Sequence, residues 1–164
     1  MNEANEAFSG CTSLSSVTLN PNLSYINYSM FRYCSALGSI SGNGISSVGQ
    51  WGIRDCTSLT TVDFPNLTSI KVGAFGGDTA LTSIDLSNVT SIENGAFQNC
   101  TALTTADLSS CTTIGSTVFS GCTNLTSVTL PNTVIAINYD TFRDCSKLVS
   151  IDLSNVTSIG GSAF

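Results

Sequence analysis

Two kinds of chemically reactive side chain recur in this sequence at a fixed interval. Asp63, Asp85 and Asp107 follow one another in steps of 22 residues, and Asp152 lies in the same register two repeats later. Carboxylates held about 5 Å apart can share a proton or bind a hard cation such as Ca²⁺. Six of the seven cysteines share a second register, which raises the questions of disulfides, zinc ligation and nucleophilic catalysis. These six are Cys11, Cys34, Cys56, Cys100, Cys122 and Cys145.

The missing residue types exclude most of this chemistry. The chain contains no histidine and no CxxC pair, so neither a Ser-His-Asp or Cys-His centre nor an ordinary zinc site can form. Cysteines at one repeat position point in parallel, whereas a disulfide needs Cβ atoms that converge to about 3.8 Å. We therefore expect no enzyme activity, no cofactor and no metal site, and we expect buried, reduced thiols that donate weakly to loop carbonyls. Cys111 occupies an aliphatic position of the other repeats and is expected to lie in the core.

Composition and charge restrict the partners. The formal net charge is −6 and only five residues are Lys or Arg, which is unsuited to binding nucleic acid. No apolar run approaches the roughly 18 residues of a membrane-spanning helix. The initial MNEANEA segment lacks the basic start and apolar centre of a signal peptide.

A repeat of 22 or 23 residues organises the whole chain. An aromatic or aliphatic anchor opens each repeat, and a leucine follows six residues after it. The anchors are Phe8, Phe31, Ile53, Phe75, Phe97, Phe119, Phe142 and Phe164, and the leucines are Leu14, Leu37, Leu59, Leu81, Leu103, Leu125 and Leu148. Such a period is typical of a solenoid in which each repeat buries its apolar side against its neighbours.

The elements of one repeat follow from its pattern. Apolar residues nine and eleven positions after the anchor alternate with Ser, Thr and Asp, which predicts a short strand with one inward and one outward face. Residues 1–164 are therefore predicted to form a single domain, an α/β-type solenoid of about seven repeats with stacked parallel strands. We expect short helical or 3₁₀ turns on the opposite face. The anchors, leucines and the six register cysteines should be buried. Neither end resembles a capping repeat, which predicts a segment of a longer array or end-to-end self-association.

The repeated pattern AFxxCxxLxxhxL, followed by PN or SN and a further aliphatic residue, resembles the BspA-like leucine-rich repeat family. That resemblance implies a secreted or cell-surface protein that binds other molecules, such as an adhesin, and no catalysis. The sequence departs from the family pattern at Ile53, at Asp78 in place of Cys, and at Gly42 in place of Leu. We expect the second and third repeats to be the most loosely packed.

The candidate binding residues lie on the outward side of the predicted strands. This strand face would offer hydroxyls and carboxylates in a regular grid to a basic protein surface or, through a bound cation, to a glycan. A solvated stripe without function is the simpler interpretation of the aspartates, and a structural spacer is the alternative function for the chain. Trp51 is expected to point outward, either as an anchor for a partner or as a cover over the irregular Gly42 and Ile53 repeats. The residues proposed for binding are Thr61, Asp63, Ser83, Asp85, Thr105, Asp107 and Trp51.

Overall fold

A computed structural model describes residues 5–133 and 136–164, so part of the MNEANEA segment lies outside the described residues. Each repeat contributes short strands to two walls of a solenoid. The first wall contains β1 (Ser16–Thr18), β3 (Ser39–Ser41), β5 (Thr61–Asp63), β8 (Thr105–Asp107), β10 (Ser127–Thr129) and β12 (Ser150–Ile151). The second wall contains β2 (Tyr25–Ile26), β4 (Ser47–Val48), β6 (Ser69–Ile70), β7 (Ser91–Ile92), β9 (Thr113–Ile114), β11 (Ala136–Ile137) and β13 (Ser158–Ile159).

The strands pair in parallel and in repeat register. On the first wall, Thr18 pairs with Ser41 and Ser41 pairs with Asp63, so equivalent positions of successive repeats stack directly on one another. The ladder of the first wall is interrupted in the fourth repeat, where Ser83–Asp85 forms no strand. The second wall continues through the same region as β2-β4-β6-β7-β9. The interruption thus affects one wall and leaves the stack intact.

The expected helical face is wrong, because the anchor segment forms turns and no helix occurs among the described residues. Bonds such as Gln98 N–H to Gly95 O (3.0 Å) and Cys100 N–H to Phe97 O (3.1 Å) close single turns. Two positions in every repeat, two residues before and two after the anchor, have positive φ. Left-handed residues at this spacing prevent a helix from continuing. The solenoid has about six turns, so the seven repeats expected are not supported.

The core consists of columns that run along the solenoid. Phe97 is stacked between Phe75 and Phe119, with ring centroids 5.4 and 5.6 Å away and planes within 3° of parallel. Ile53 interrupts this column and is fully buried. The Leu and Cys columns of the inner repeats are buried as the sequence predicted. Burial of these columns against neighbouring repeats is the main source of stability, since the two- and three-residue strands bury little alone.

The prediction that all anchors and cysteines are buried is wrong at the two ends. Phe8 is 43% exposed, Phe164 is 52% exposed and Cys11 is exposed, while Leu14, Leu148 and Cys145 are partly buried. These residues belong to the first and last described repeats, and the structure includes a neighbouring repeat on one side of each. Their columns are otherwise continued, as shown by the stacking of Phe8 on Phe31 at 5.2 Å.

The Gly42 position is more closely packed than its missing side chain suggests. Ile45 is fully buried, and a Cβ built at Gly42 would approach Ile45 Cγ1 to 3.0 Å and Leu19 Cβ to 3.1 Å. Neighbouring side chains therefore fill the inner part of the space that a leucine takes in other repeats. The interrupted ladder lies in the fourth repeat, which carries Asp78, and not in the second or third.

Candidate functional site

The strand face is the outward surface of the first wall, formed by the residues eight and ten positions after each anchor. Thr61, Asp63, Thr105 and Asp107 are exposed at the ends of β5 and β8, where the central residue of each strand points inward. Ser83 and Asp85 are also exposed, but they lie in the segment without a strand. The structure thus places all six polar candidates on one surface, with an interruption of the ladder at its middle.

Three carboxylates of this surface are held by the backbone that follows them. Asp85 Oδ1 accepts the Ser87 N–H at 2.9 Å, Asp107 Oδ1 accepts the Ser109 N–H at 3.0 Å, and Asp152 Oδ1 accepts the Ser154 N–H at 2.9 Å. In Asp85 and Asp152, the hydrogen bond favours the ionised form and lowers the pKa of the carboxyl. At neutral pH the surface therefore presents fixed negative charges.

Asp63 differs from the other three aspartates. The residue two positions after it is Pro65, which has no N–H, so the equivalent hydrogen bond cannot form. Both oxygens of its exposed carboxylate remain available on that side. In the sequence this difference is visible as DFP, where the other three repeats have DLS. Its effect on the aspartate can be recognised only when the hydrogen bond to the third residue of DLS is known.

Many of the other hydroxyls have a structural role. On the second wall, each hydroxyl of one column donates to a backbone carbonyl of the preceding repeat at 3.0 to 3.2 Å. This column consists of Ser46, Thr68, Thr90 and Thr112. A similar column borders the first wall, where Thr104 Oγ1 donates to Thr82 O at 3.2 Å. The hydroxyls of Thr61, Ser83 and Thr105 take part in neither column and remain outward.

Positive charge is confined to other surfaces of the solenoid. None of the five basic residues occupies either outward position of the strand face. Lys71 is paired with Glu93 at 3.0 Å, and Arg54 is paired with Asp55 at 3.2 Å. All the charged residues at the outward positions of the strand face are therefore acidic, which favours a partner that carries positive charge.

Trp51 lies away from the strand face, on the turn before the Ile53 anchor. Its ring contacts Tyr28, with centroids 5.4 Å apart, and the Arg32 guanidinium lies 4.9 Å from its centroid. It also covers Gly73 of the next repeat, because a Cβ at Gly73 would lie 2.7 Å from Trp51 Cδ1. Trp51 has a φ of 56°, at a position where the next repeats have Gly73 and Gly95. Trp51 is half-buried, and its indole ring makes all of these contacts.

The thiols donate to the backbone of the preceding repeat. Cys100 Sγ lies 3.0 Å from Phe75 O, and Cys122 Sγ lies 3.1 Å from Phe97 O. Cys111, whose thiol donates to Val89 O at 3.1 Å, is buried as expected. Burial raises the pKa of the Cys100 thiol well above its usual value and that of Cys111 to about 11. All seven cysteines are free, and those of the inner repeats are packed against the preceding repeat, whereas their reduced state stays a prediction.

Asp78 replaces the thiol in the fourth repeat and is fully buried. Its Oδ1 accepts the Cys56 N–H at 2.7 Å, whereas Oδ2 has no hydrogen-bond partner. Desolvation raises the pKa of this carboxyl well above its usual value, which outweighs the lowering effect of the Cys56 hydrogen bond. A buried acid in this environment is favoured in its protonated form.

Among the described residues, no group of three or more acidic or cysteine side chains has the arrangement needed to hold a metal ion. The described residues also contain no helix long and apolar enough to cross a bilayer.

The geometry is that of a leucine-rich repeat solenoid, with short parallel strands on two walls that are joined by turns. Six copies of the BspA type leucine rich repeat region match residues 4–104 and 90–164. The chain therefore belongs to the BspA-type leucine-rich repeat family. Proteins of this class are generally interaction or surface modules, and nothing in the site points to catalysis. No curated protein sequence matches the chain.

Solved structures show the same fold. A leucine-rich repeat protein of T. pallidum is 26% identical with a TM-score of 0.82, and the match covers 90% of this chain and 73% of that protein. A leucine rich cell surface protein of Faecalibacterium prausnitzii is 28% identical with a TM-score of 0.81, covering 91% of this chain and 44% of that protein. The pneumococcal vaccine antigen PcpA, at 14% identity and a TM-score of 0.53, shares the fold over 91% of this chain and 55% of its own.

Proposed function

We propose that this chain is a non-enzymatic recognition module that binds a basic protein surface through its strand face, in a cell-surface or secreted setting. The observation that carries the proposal is the row of outward carboxylates, Asp63, Asp85 and Asp107, on a surface without a basic residue. The description of the F. prausnitzii relative as a cell surface protein supports the location.

The surface is organised before a partner arrives. β5 and β8 are short strands held in the stack by parallel pairing with β3 and β10, and two of the three carboxylates are fixed by hydrogen bonds to the following N–H. Binding to such a surface orders few side chains, so little conformational entropy is lost. Complementary charge accelerates association and selects the partner, with a strong dependence on salt.

Trp51 has a different role in this proposal. Its contacts with Tyr28, Arg32 and Gly73 support a cover over the turn of the third repeat rather than an anchor for a partner. Replacing Trp51 should therefore lower stability without weakening partner binding.

The proposal is tested by screening the wild type and a triple variant, Asp63→Asn, Asp85→Asn and Asp107→Asn, against an array of extracellular matrix proteins and glycans. The triple variant should melt close to the wild type, because the three side chains are exposed. It should bind any authentic partner more than about tenfold more weakly, as expected for the loss of charged contacts worth at least 1.4 kcal/mol together.

A charge-matched control separates a local effect from loss of net charge. The variant Glu6→Gln, Glu93→Gln and Asp144→Asn removes the same three negative charges from surfaces other than the strand face. It should retain the wild-type affinity within about twofold. Equal binding by the wild type and the strand-face variant would place the site elsewhere, and no binding by either would favour the structural spacer.

A further inference from the structure

A groove opens on the strand face where the second repeat has Gly42 in place of a leucine. Leu19, Pro21 and Gly42 provide its apolar side, and Thr18, Ser41 and Asp63 provide its polar side. Thr18, Ser41 and Asp63 are paired in register across β1, β3 and β5, so they form a row along one wall of the groove. The groove is therefore amphipathic across its width, with one carboxylate at the end of the polar row.

Asp63 is the aspartate whose charge is available to a ligand in this groove. Asp85 and Asp107 each use one oxygen to accept a backbone N–H two residues later, but Pro65 provides no such donor to Asp63. Neither Lys nor Arg of this chain lines the groove. An incoming cation would therefore find a carboxylate with both oxygens available and hydroxyl acceptors beside it.

The size of the groove restricts what can occupy it. Its volume is about 280 Å³, which is below the roughly 300–1,000 Å³ of pockets that enclose a small-molecule ligand. One long side chain of a protein partner fits such a space. Lys and Arg combine an apolar stem with a charged head, which matches an apolar wall opposite a carboxylate.

The geometry points to this groove as the pocket for a single basic side chain of a protein partner, with its stem on Leu19 and Pro21 and its charged head on Asp63. This inference rests on the proposed function, because it assigns one contact point within the strand face. It goes further by naming the residues that define the contact and by distinguishing Asp63 from the other carboxylates.

The first test is a titration of isotope-labelled protein with the peptide acetyl-Ala-Gly-Arg-Gly-Ala-amide, followed by amide chemical shifts. The comparison peptide carries citrulline, which has nearly the shape of arginine without its charge. At concentrations up to about 10 mM, the arginine peptide should shift the amides of Gly42, Asn43 and Asp63 in a saturable way, and the citrulline peptide should bind at least about fivefold more weakly. Shifts absent from these residues, or equal for both peptides, would overturn the inference.

Three variants test the role of the carboxylate with the arginine peptide. Asp63→Asn should weaken binding at least about fivefold. Pro65→Ser introduces the N–H that the equivalent Ser87 and Ser109 provide, so it should weaken binding about two- to fivefold with the charge of Asp63 retained. Asp144→Asn, the same substitution at an exposed carboxylate away from the groove, should leave binding within about twofold.

These outcomes separate the inference from the proposed function. If Asp63→Asn binds the peptide as well as Asp144→Asn does, the groove is not the pocket, whatever the strand-face triple variant shows. If the triple variant binds an intact partner as strongly as the wild type, the proposed function fails while the peptide result stands by itself. An unchanged affinity in Pro65→Ser would contradict the argument that a missing N–H makes Asp63 available.

Discussion

Replacement of Phe97 by alanine tests the packing on which the whole strand face depends. Phe97 is fully buried and lies between two parallel rings at 5.4 and 5.6 Å, so no flanking side chain can move in without losing its own stacking. Truncation of a buried phenylalanine costs about 3–5 kcal/mol through lost burial and the remaining cavity. For a chain of this size, the melting temperature should fall by roughly 6–20 °C.

The assay is urea unfolding followed by circular dichroism and by Trp51 fluorescence. Two controls bracket the result. Phe8→Ala removes a ring that is 43% exposed and stacked on one side only, so it should cost less than about half as much. Phe97→Ile should cost below about 2 kcal/mol, because Ile53 fills the same column and is fully buried. A cost for Phe97→Ala no greater than that for Phe8→Ala would refute the continuous column.

Three further predictions concern Asp78, the cysteines and the hydroxyl column of the second wall. Because folding raises the pKa of Asp78, the folded state binds its proton more tightly than the unfolded state, and this group makes stability fall as pH rises above about 4. The stability of Asp78→Asn relative to the wild type should therefore increase from pH 4 to pH 7, as measured by urea unfolding at each pH. A difference in the free energy of unfolding that stays constant over this range would contradict the raised pKa of Asp78. A thiol reagent should label exposed Cys11 rapidly and buried Cys100 only on unfolding, whereas equal labelling rates in the folded protein would exclude the packed thiol column. Thr90→Val removes the 3.2 Å bond to Thr68 O and should cost about 0.5–1.5 kcal/mol, and a stabilising effect would show that the hydroxyl column is not structural.

The repeat architecture can be predicted from the sequence because each column has the same type of residue at the same position of successive repeats. An apolar residue at a constant position in every repeat must meet its equivalent in the neighbouring repeats, which determines both the stacking and the inward face of each strand. The exposure of Phe8 and Cys11 was not predicted, because a column pattern treats all its members alike and does not distinguish the first described repeat from the inner ones.

The helical turn was wrongly predicted because apolar spacing does not report backbone handedness. A signal was present in the residues two positions after the anchor, where Gly77, Asn99 and Gly121 belong to types that tolerate positive φ. Left-handed positions both before and after the anchor limit the intervening segment to a single turn. Read together, these positions would have predicted turns.

The candidate surface could be predicted, but the differences within it could not. Period-two alternation identifies Thr61, Asp63, Thr105 and Asp107 as outward residues, as found. Asp63 differs from its equivalents because Pro65 lacks the N–H that would form the hydrogen bond. The groove depends on how Leu19 and Ile45 fill the inner space at Gly42. Both features arise from contacts between repeats, which a single repeat does not reveal.

The most direct test of the strand face as the recognition surface is photocrosslinking from defined positions. A benzoylphenylalanine placed at Thr105, outward on β8, should crosslink to a partner obtained from the array screen. The same residue at Thr113, exposed on β9 of the second wall, should give no crosslink under the same conditions. A crosslink from Thr113 and none from Thr105 would contradict recognition through the strand face.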